Sequence, residues 1–179
     1  MTKVVFIHGN GGCTAGDAWY PRLERACAAL GLEVVNQTFP DNVKARARFW
    51  LPHLEALGAD QDTILIGHSS GAVAAMRYAE THRLLGSILV GVCHTDLGDP
   101  GEAESGYYNA PWQWQQIREH QQWIAIYHST DDPHIPVAEP RFVAKQLKCS
   151  YFEFHDRGHF LDADALPEVA PFLTRKLLK

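Results

Sequence analysis

Two kinds of stretch alternate along the chain. Short runs are apolar at most consecutive positions: Val4 to His8, Glu33 to Thr38, Thr63 to Gly67, Ser87 to Val92, Trp123 to Ser129 and Ser150 to Phe154. A strand with one face in water alternates, so a run apolar on both faces predicts a parallel strand covered by helices on each side. Between the runs, apolar residues return at helical spacing. Trp19, Leu23, Cys27 and Leu30 form one stripe, stopped by Gly31, and Val169, Phe172, Leu173 and Leu177 form another on a final helix. The repeated β-α-β order predicts right-handed crossovers and an open, doubly wound, mostly parallel α/β sheet of about six strands. No linker, repeat or low-complexity stretch divides it, so residues 1–179 are expected to form a single domain.

Composition narrows the classes. With 179 residues and 46% hydrophobic content the chain can bury a real core. The net charge of -5 is dispersed and leaves no basic stripe, so no nucleic-acid partner is expected. Lys44, Arg46 and Arg48 read as the solvated face of a helix. Met1-Thr2-Lys3 leads straight into VVFIH, too short a run for an export or membrane segment, so a cytoplasmic protein without a membrane partner is expected; it is also expected to be a monomer. Cys13, Cys27, Cys93 and Cys149 form no C-x-x-C pair and are expected to be reduced and mostly buried. No H-E-x-x-H occurs either, so no metal site is expected.

The chemistry concentrates in Thr63 to Met76, TILIGHSSGAVAAM. An apolar run, then Gly67-His68-Ser69-Ser70-Gly71, then a small-residue segment reads as strand, sharp turn and helix start, the setting in which G-x-S-x-G exposes a serine hydroxyl. Ligands of such sheets gather at strand C-terminal ends, and this selects the polar residues that can meet. His159, after Gly158 in the loop between the last strand and the final helix, is the candidate base, ahead of His155 at the strand end. Asp131 and Asp132 both follow the fifth strand. Asp132 is favoured as the acid because two prolines fix the turn Asp132-Pro133-His134-Ile135-Pro136. Ser, Asp, His is also the chain order of an α/β-hydrolase triad. The backbone N–H groups of Ser70 and of Asn10, in the loop Gly9-Asn10-Gly11-Gly12, are the expected oxyanion donors. That loop has a rival reading as a phosphate cradle, but G-x-G-x-x-G fails at Thr14 and no G-K-[ST] follows.

With these residues assembled, the chain resembles the retinoblastoma-binding protein 9 family of small serine hydrolases. The resemblance is carried by Gly9 to Gly12, Ile66 to Ala72, Ala75 to Arg83, Asp96 to Asp99, Ser105 to Tyr107, Pro111 to Trp114, Ser129 to Pro133 and Gly158 to Phe160. It implies a compact α/β-hydrolase with Ser69, Asp132 and His159 as its triad. It also implies hydrolysis of a small ester or amide, among them amino-acid derivatives with bulky side chains, without a cofactor. The Leu-x-Cys-x-Glu motif suggested by the family name is absent; the region before Thr63 reads Leu57-Gly58-Ala59-Asp60-Gln61-Asp62, so no pocket-protein partner is carried over. His8 stands where a proline is expected. Residues 93–116 replace a large lid with a short insertion, in which Tyr107, Trp112 and Trp114, with Tyr108, are expected to wall a substrate pocket; Glu102 and Glu104 near it read as solvated loop charges, with recognition of a substrate amine as the rival reading. The alternative of a different class is an interaction module on a hydrolase scaffold that no longer turns over substrate.

Overall fold

The computed structural model describes residues 1–178. Six strands, β1 (Lys3–Ile7), β2 (Glu33–Val35), β3 (Thr63–His68), β4 (Leu84–Val90), β5 (Gln121–Ser129) and β6 (Ser150–Phe154), form one sheet in the order β2-β1-β3-β4-β5-β6. Every pairing is parallel. Successive side chains of a strand point to opposite faces, and here both faces are covered. Val5, Ile7, Leu65, Leu89 and Ile126 pack beneath α2 (Ala47–Ala56), α3 (Ser70–Ala79), α5 (Trp114–Glu119) and α6 (Ala138–Leu147). Val4, Phe6, Ile64, Ile66 and Tyr127 pack beneath α1 (Tyr20–Ala29) and α7 (Val169–Leu177). The unbroken apolar runs follow from this double cover. Among the described residues no helix is long and apolar enough to cross a membrane.

Several boundaries move for local reasons. The expected strand from Glu33 to Thr38 ends at Val35, because Asn36 turns its amide to Ala15 O and Glu24, and Thr38 Oγ1 takes the Ala15 N–H. Leu30 is not on the buried stripe of α1: it caps the helix and is exposed. Lys44 and Arg46 precede α2 instead of lying on it, and Arg46 forks onto the Asp41 carboxylate at 2.7 and 2.8 Å. The cysteines are all free, but only Cys27 and Cys93 are buried.

The topology places the site. The chain steps from β1 to β2 on one side and then returns to lay β3 on the other side of β1. Loops leaving the C-terminal ends of β1 and β3 therefore diverge and open a crevice between them. The two backbones approach closely at a pair of glycines. A Cβ on Gly71 would collide with the carbonyls of Ile7 and His8, and one on Gly67 with the backbone of Gly71 and Ala72. Only hydrogen at both positions lets α3 start against the end of β1.

Candidate active site

Ser69 sits between β3 and α3 with φ 55° and ψ -118°, a conformation that residues bearing a Cβ rarely adopt. Its N–H donates to Val90 O at 2.8 Å, which anchors the turn on the neighbouring strand. The kink lifts the side chain out of the sheet into a cavity of about 600 Å³. Since α3 begins at Ser70, that residue's N–H is among those with no partner inside the helix, at its positive end. Asn10, Ser70 and His159 line the same cavity.

Asp132 lies beneath His159. Its Oδ2 accepts the His159 Nδ1–H at 2.7 Å, while Oδ1 accepts the N–H groups of His134 and Ile135 at 2.8 and 3.0 Å. The carboxylate is nearly buried, its side chain 1% exposed. Burial pushes its pKa up, but the His159 bond and charge and the two backbone N–H groups outweigh it and hold the carboxyl below the usual range. Nδ1 of His159 is thereby occupied, leaving Nε2 as the free ring nitrogen. Among the described contacts Ser69 Oγ makes no hydrogen bond to His159; bonds of this kind often close only around a substrate.

The neighbouring aspartate does a different job. Asp131 Oδ1 accepts the Gly158 N–H at 3.0 Å and the Ser129 hydroxyl, so it fixes the loop that carries His159 rather than the imidazole. His155 bonds Thr130 Oγ1 at 3.0 Å and is exposed. His155 and His159 are four residues apart, a spacing two metal ligands share on a helix, but this segment is not helical. Among the described residues no group of three or more His, Cys, Asp or Glu could hold a metal ion.

His68 fills a variable position of G-x-S-x-G, yet its ring has fixed partners. It is buried, its Nδ1 accepts from the Tyr20 hydroxyl at 3.0 Å, and its Nε2–H donates to His159 O at 2.8 Å. One ring thus ties the elbow to the backbone of His159. Burial, helped by the nearby His159, lowers its pKa from 6.5 to about 3. In the unfolded chain the ring protonates near 6.5, so the folded state binds fewer protons between those values. The stability due to the neutral ring is full above about pH 6.5 and falls as pH drops towards 3, by up to about 1.4 kcal/mol per pH unit for this one group. Urea midpoints of wild type and His68→Gln across that window should show a shallower decline in the variant; parallel curves would assign the acid sensitivity to other groups.

The expected aromatic wall is corrected. Tyr107, Trp112 and Trp114 do not line the cavity; of the four aromatic residues only Tyr108 does. Tyr107 is buried in the core. Trp112 lies under the Arg77 guanidinium at 3.6 Å, donates its indole N–H to His94 O and stacks on Trp114. Arg77 also donates to the carbonyls of Tyr107, Ala110 and Pro111, so the aromatics hold the insertion on α3. The insertion is not all loop either: α4 (Pro100–Glu104) forms within it, capped by the Asp99 carboxylate on Glu102 N. The cavity walls come from residues flanking the motifs. Leu97, Pro133, Ile135 and Leu161 supply apolar surface, and Asp99 and Glu102 acidic surface. Glu102 accepts from Asn10 Nδ2 at 2.7 Å, and burial outweighs that bond and raises its pKa. Glu104 instead points towards Lys44, 3.8 Å away, and does not line the cavity.

A family model described as serine hydrolase matches residues 4–174. The chain belongs to the serine hydrolase family. This serine hydrolase is 43% identical to Serine hydrolase RBBP9 of Rattus norvegicus over 166 residues, covering 91% of its own length and 89% of the relative's. The resemblance drawn from the motifs is borne out by that match. It is also 26% identical to YdeN of Bacillus subtilis over 182 residues, 97% of this chain and 96% of the relative. The crystal structure of the ydeN product superposes with a TM-score of 0.90 over the whole of both chains. Est1E from Butyrivibrio proteoclasticus, solved with ferulic acid, shares the fold at a TM-score of 0.82 and 15% identity, over 100% of this chain and 90% of its own. The serine hydrolase thus has the α/β-hydrolase fold expected from its strand and helix order.

Proposed function

We propose that the protein hydrolyses a small ester or amide through an acyl-enzyme on Ser69. The observation that carries this reading is a serine on a strained strand-to-helix turn sharing one cavity with a histidine whose other ring nitrogen is held by a buried carboxylate. Ser69 Oγ attacks the substrate carbonyl carbon as its proton passes to His159 Nε2. The oxygen that gains negative charge is stabilised by the N–H groups of Ser70 and Asn10. The tetrahedral adduct collapses, the leaving group takes the proton from the imidazolium, and water repeats the sequence on the acyl group, releasing the acid and free Ser69. Asp132 keeps the proton of the resting imidazole on Nδ1, so that Nε2 is the base, and stabilises the imidazolium.

The thiols are poor rivals for the serine. Cys13 and Cys93 line the cavity, but burial raises the pKa of both, that of Cys93 to about 12, so each stays protonated at neutral pH. A cavity lined by apolar residues together with Asp99 and Glu102 suits a compact acyl group bearing an amine, such as an aminoacyl ester or amide. A fluorophosphonate probe tests the reading directly. Labelling of the wild type, lost in Ser69→Ala, is expected. A folded wild type that takes no label would instead favour an interaction module, and labelling that survives Ser69→Ala would place the nucleophile elsewhere.

A further inference from the structure

His8, which stands where the family resemblance leads one to expect proline, is 2% exposed, and both of its ring nitrogens are used. Phe39 donates its backbone N–H to Nε2 at 2.8 Å, so Nε2 carries no proton. The proton is then on Nδ1, which donates to Gly9 O at 2.7 Å. Burial lowers the pKa of the ring and keeps it in this neutral form at neutral pH. The rings of Phe39 and Trp50 meet it edge-on at 5.7 and 5.2 Å, so it has one orientation as well as one tautomer.

The consequence lies one bond further along. The carbonyl of Gly9 and the N–H of Asn10 belong to the same planar trans peptide and point in opposite directions. Pinning one aims the other. In this loop the amides of Gly11 and Gly12 are taken by Val43 O and Asn42 O at 2.9 and 3.1 Å, and that of Cys13 reaches Asn10 O. The Asn10 N–H takes no backbone carbonyl among the described contacts, and Asn10 lines the cavity beside Ser69. We infer that His8 is the positioning residue of the oxyanion site: its Nδ1–H holds the Gly9 carbonyl away from the cavity and so keeps the Asn10 N–H turned into it. This rests on the hydrolase reading above. It also gives a physical role to the histidine, since proline has no side-chain donor.

Two near-isosteric replacements separate this role from a merely structural one. In His8→Asn the side-chain NH₂ stands near the position of Nδ1 and can donate to Gly9 O, but nothing reaches Phe39 N. In His8→Gln the terminal oxygen stands near the position of Nε2 and can accept from Phe39 N, while the Gly9 carbonyl is released. A misaimed oxyanion donor acts on the transition state, so His8→Gln should lose about 10²-fold in kcat with KM changed less than about twofold. His8→Asn should keep most of kcat even if it melts lower. Equal losses in both variants, recovery in Gln but not Asn, or an effect confined to KM would overturn the inference.

Two readouts do not depend on turnover. A crystal structure of His8→Gln should show the Gly9–Asn10 peptide rotated, and ¹⁵N spectra of the wild type should show His8 with its proton on Nδ1. An unrotated peptide, or a proton on Nε2, overturns the inference. Absence of Ser69-dependent hydrolysis in the wild type would instead remove the reading on which it rests.

Discussion

Ser69→Ala is expected to lower kcat about 10⁶-fold, and adding His159→Ala to it is expected to lower it no further. The two side chains share one task. A serine hydroxyl is unreactive at neutral pH until its proton has somewhere to go, and an imidazole base has nothing to do once the hydroxyl is gone. Removing either group therefore forfeits nearly all that both supply. The rate that remains, about 10³-fold above water, comes from binding and from the amides of Asn10 and Ser70, which neither substitution touches. Rates of the two single variants and the double variant, measured with one activated ester and normalised to folded protein, check this. A double variant slower than the wild type by the product of the two single losses would mean that the two side chains act independently, and the proton route drawn between them would be wrong.

The strands and the order of the site residues were legible because they depend on patterns that survive in one dimension. Burial on both faces leaves continuous apolar runs, and the elbow demands glycines two positions either side of its serine; Gly67 and Gly71 are there because a Cβ would strike backbone at each. Strand ends narrowed the acid to Asp131 or Asp132 and the base to His155 or His159; the prolines after Asp132, the glycine before His159 and the family resemblance chose between them. The pocket wall was not legible, because aromatic side chains in a loop look the same whether they face a ligand or a neighbour. What turned Trp112 away from the cavity is Arg77, 35 residues earlier on α3, whose guanidinium covers its ring and gathers three carbonyls of the insertion. No local pattern around Trp112 announces that partner. His8 and His68 escaped for a related reason: each acts through backbone groups brought near by folding, the carbonyls of Gly9 and His159. Backbone partners have no residue type for a sequence to reveal.

The two adjacent aspartates are expected to differ by about three orders of magnitude when each is made an asparagine, with Asp132→Asn costing about 10⁴-fold in kcat and Asp131→Asn less than about tenfold. The hydrogen bonds give the reason. At position 132 one side-chain oxygen accepts two backbone N–H groups, those of His134 and Ile135, and the other faces His159 Nδ1. An asparagine there must keep its carbonyl oxygen on the backbone pair, because an NH₂ would meet two donors with a third. Its NH₂ is then forced towards Nδ1, the imidazole accepts there, and its proton moves to Nε2. A ring with Nε2 already protonated cannot take the serine proton, although every atom stands close to its former place. At position 131 the oxygen that matters accepts from Gly158 N and Ser129 Oγ, and an asparagine can present its carbonyl oxygen to both. Its NH₂ is left on the other side, away from both donors, so the loop that carries His159 keeps its anchor. Steady-state rates of both variants on one substrate, with melting temperatures to confirm that each is folded, decide the point. If Asp131→Asn proved the more damaging, the carboxylate that matters to turnover would be the one fixing the loop, and the bond between Asp132 and His159 would have to be read as structural.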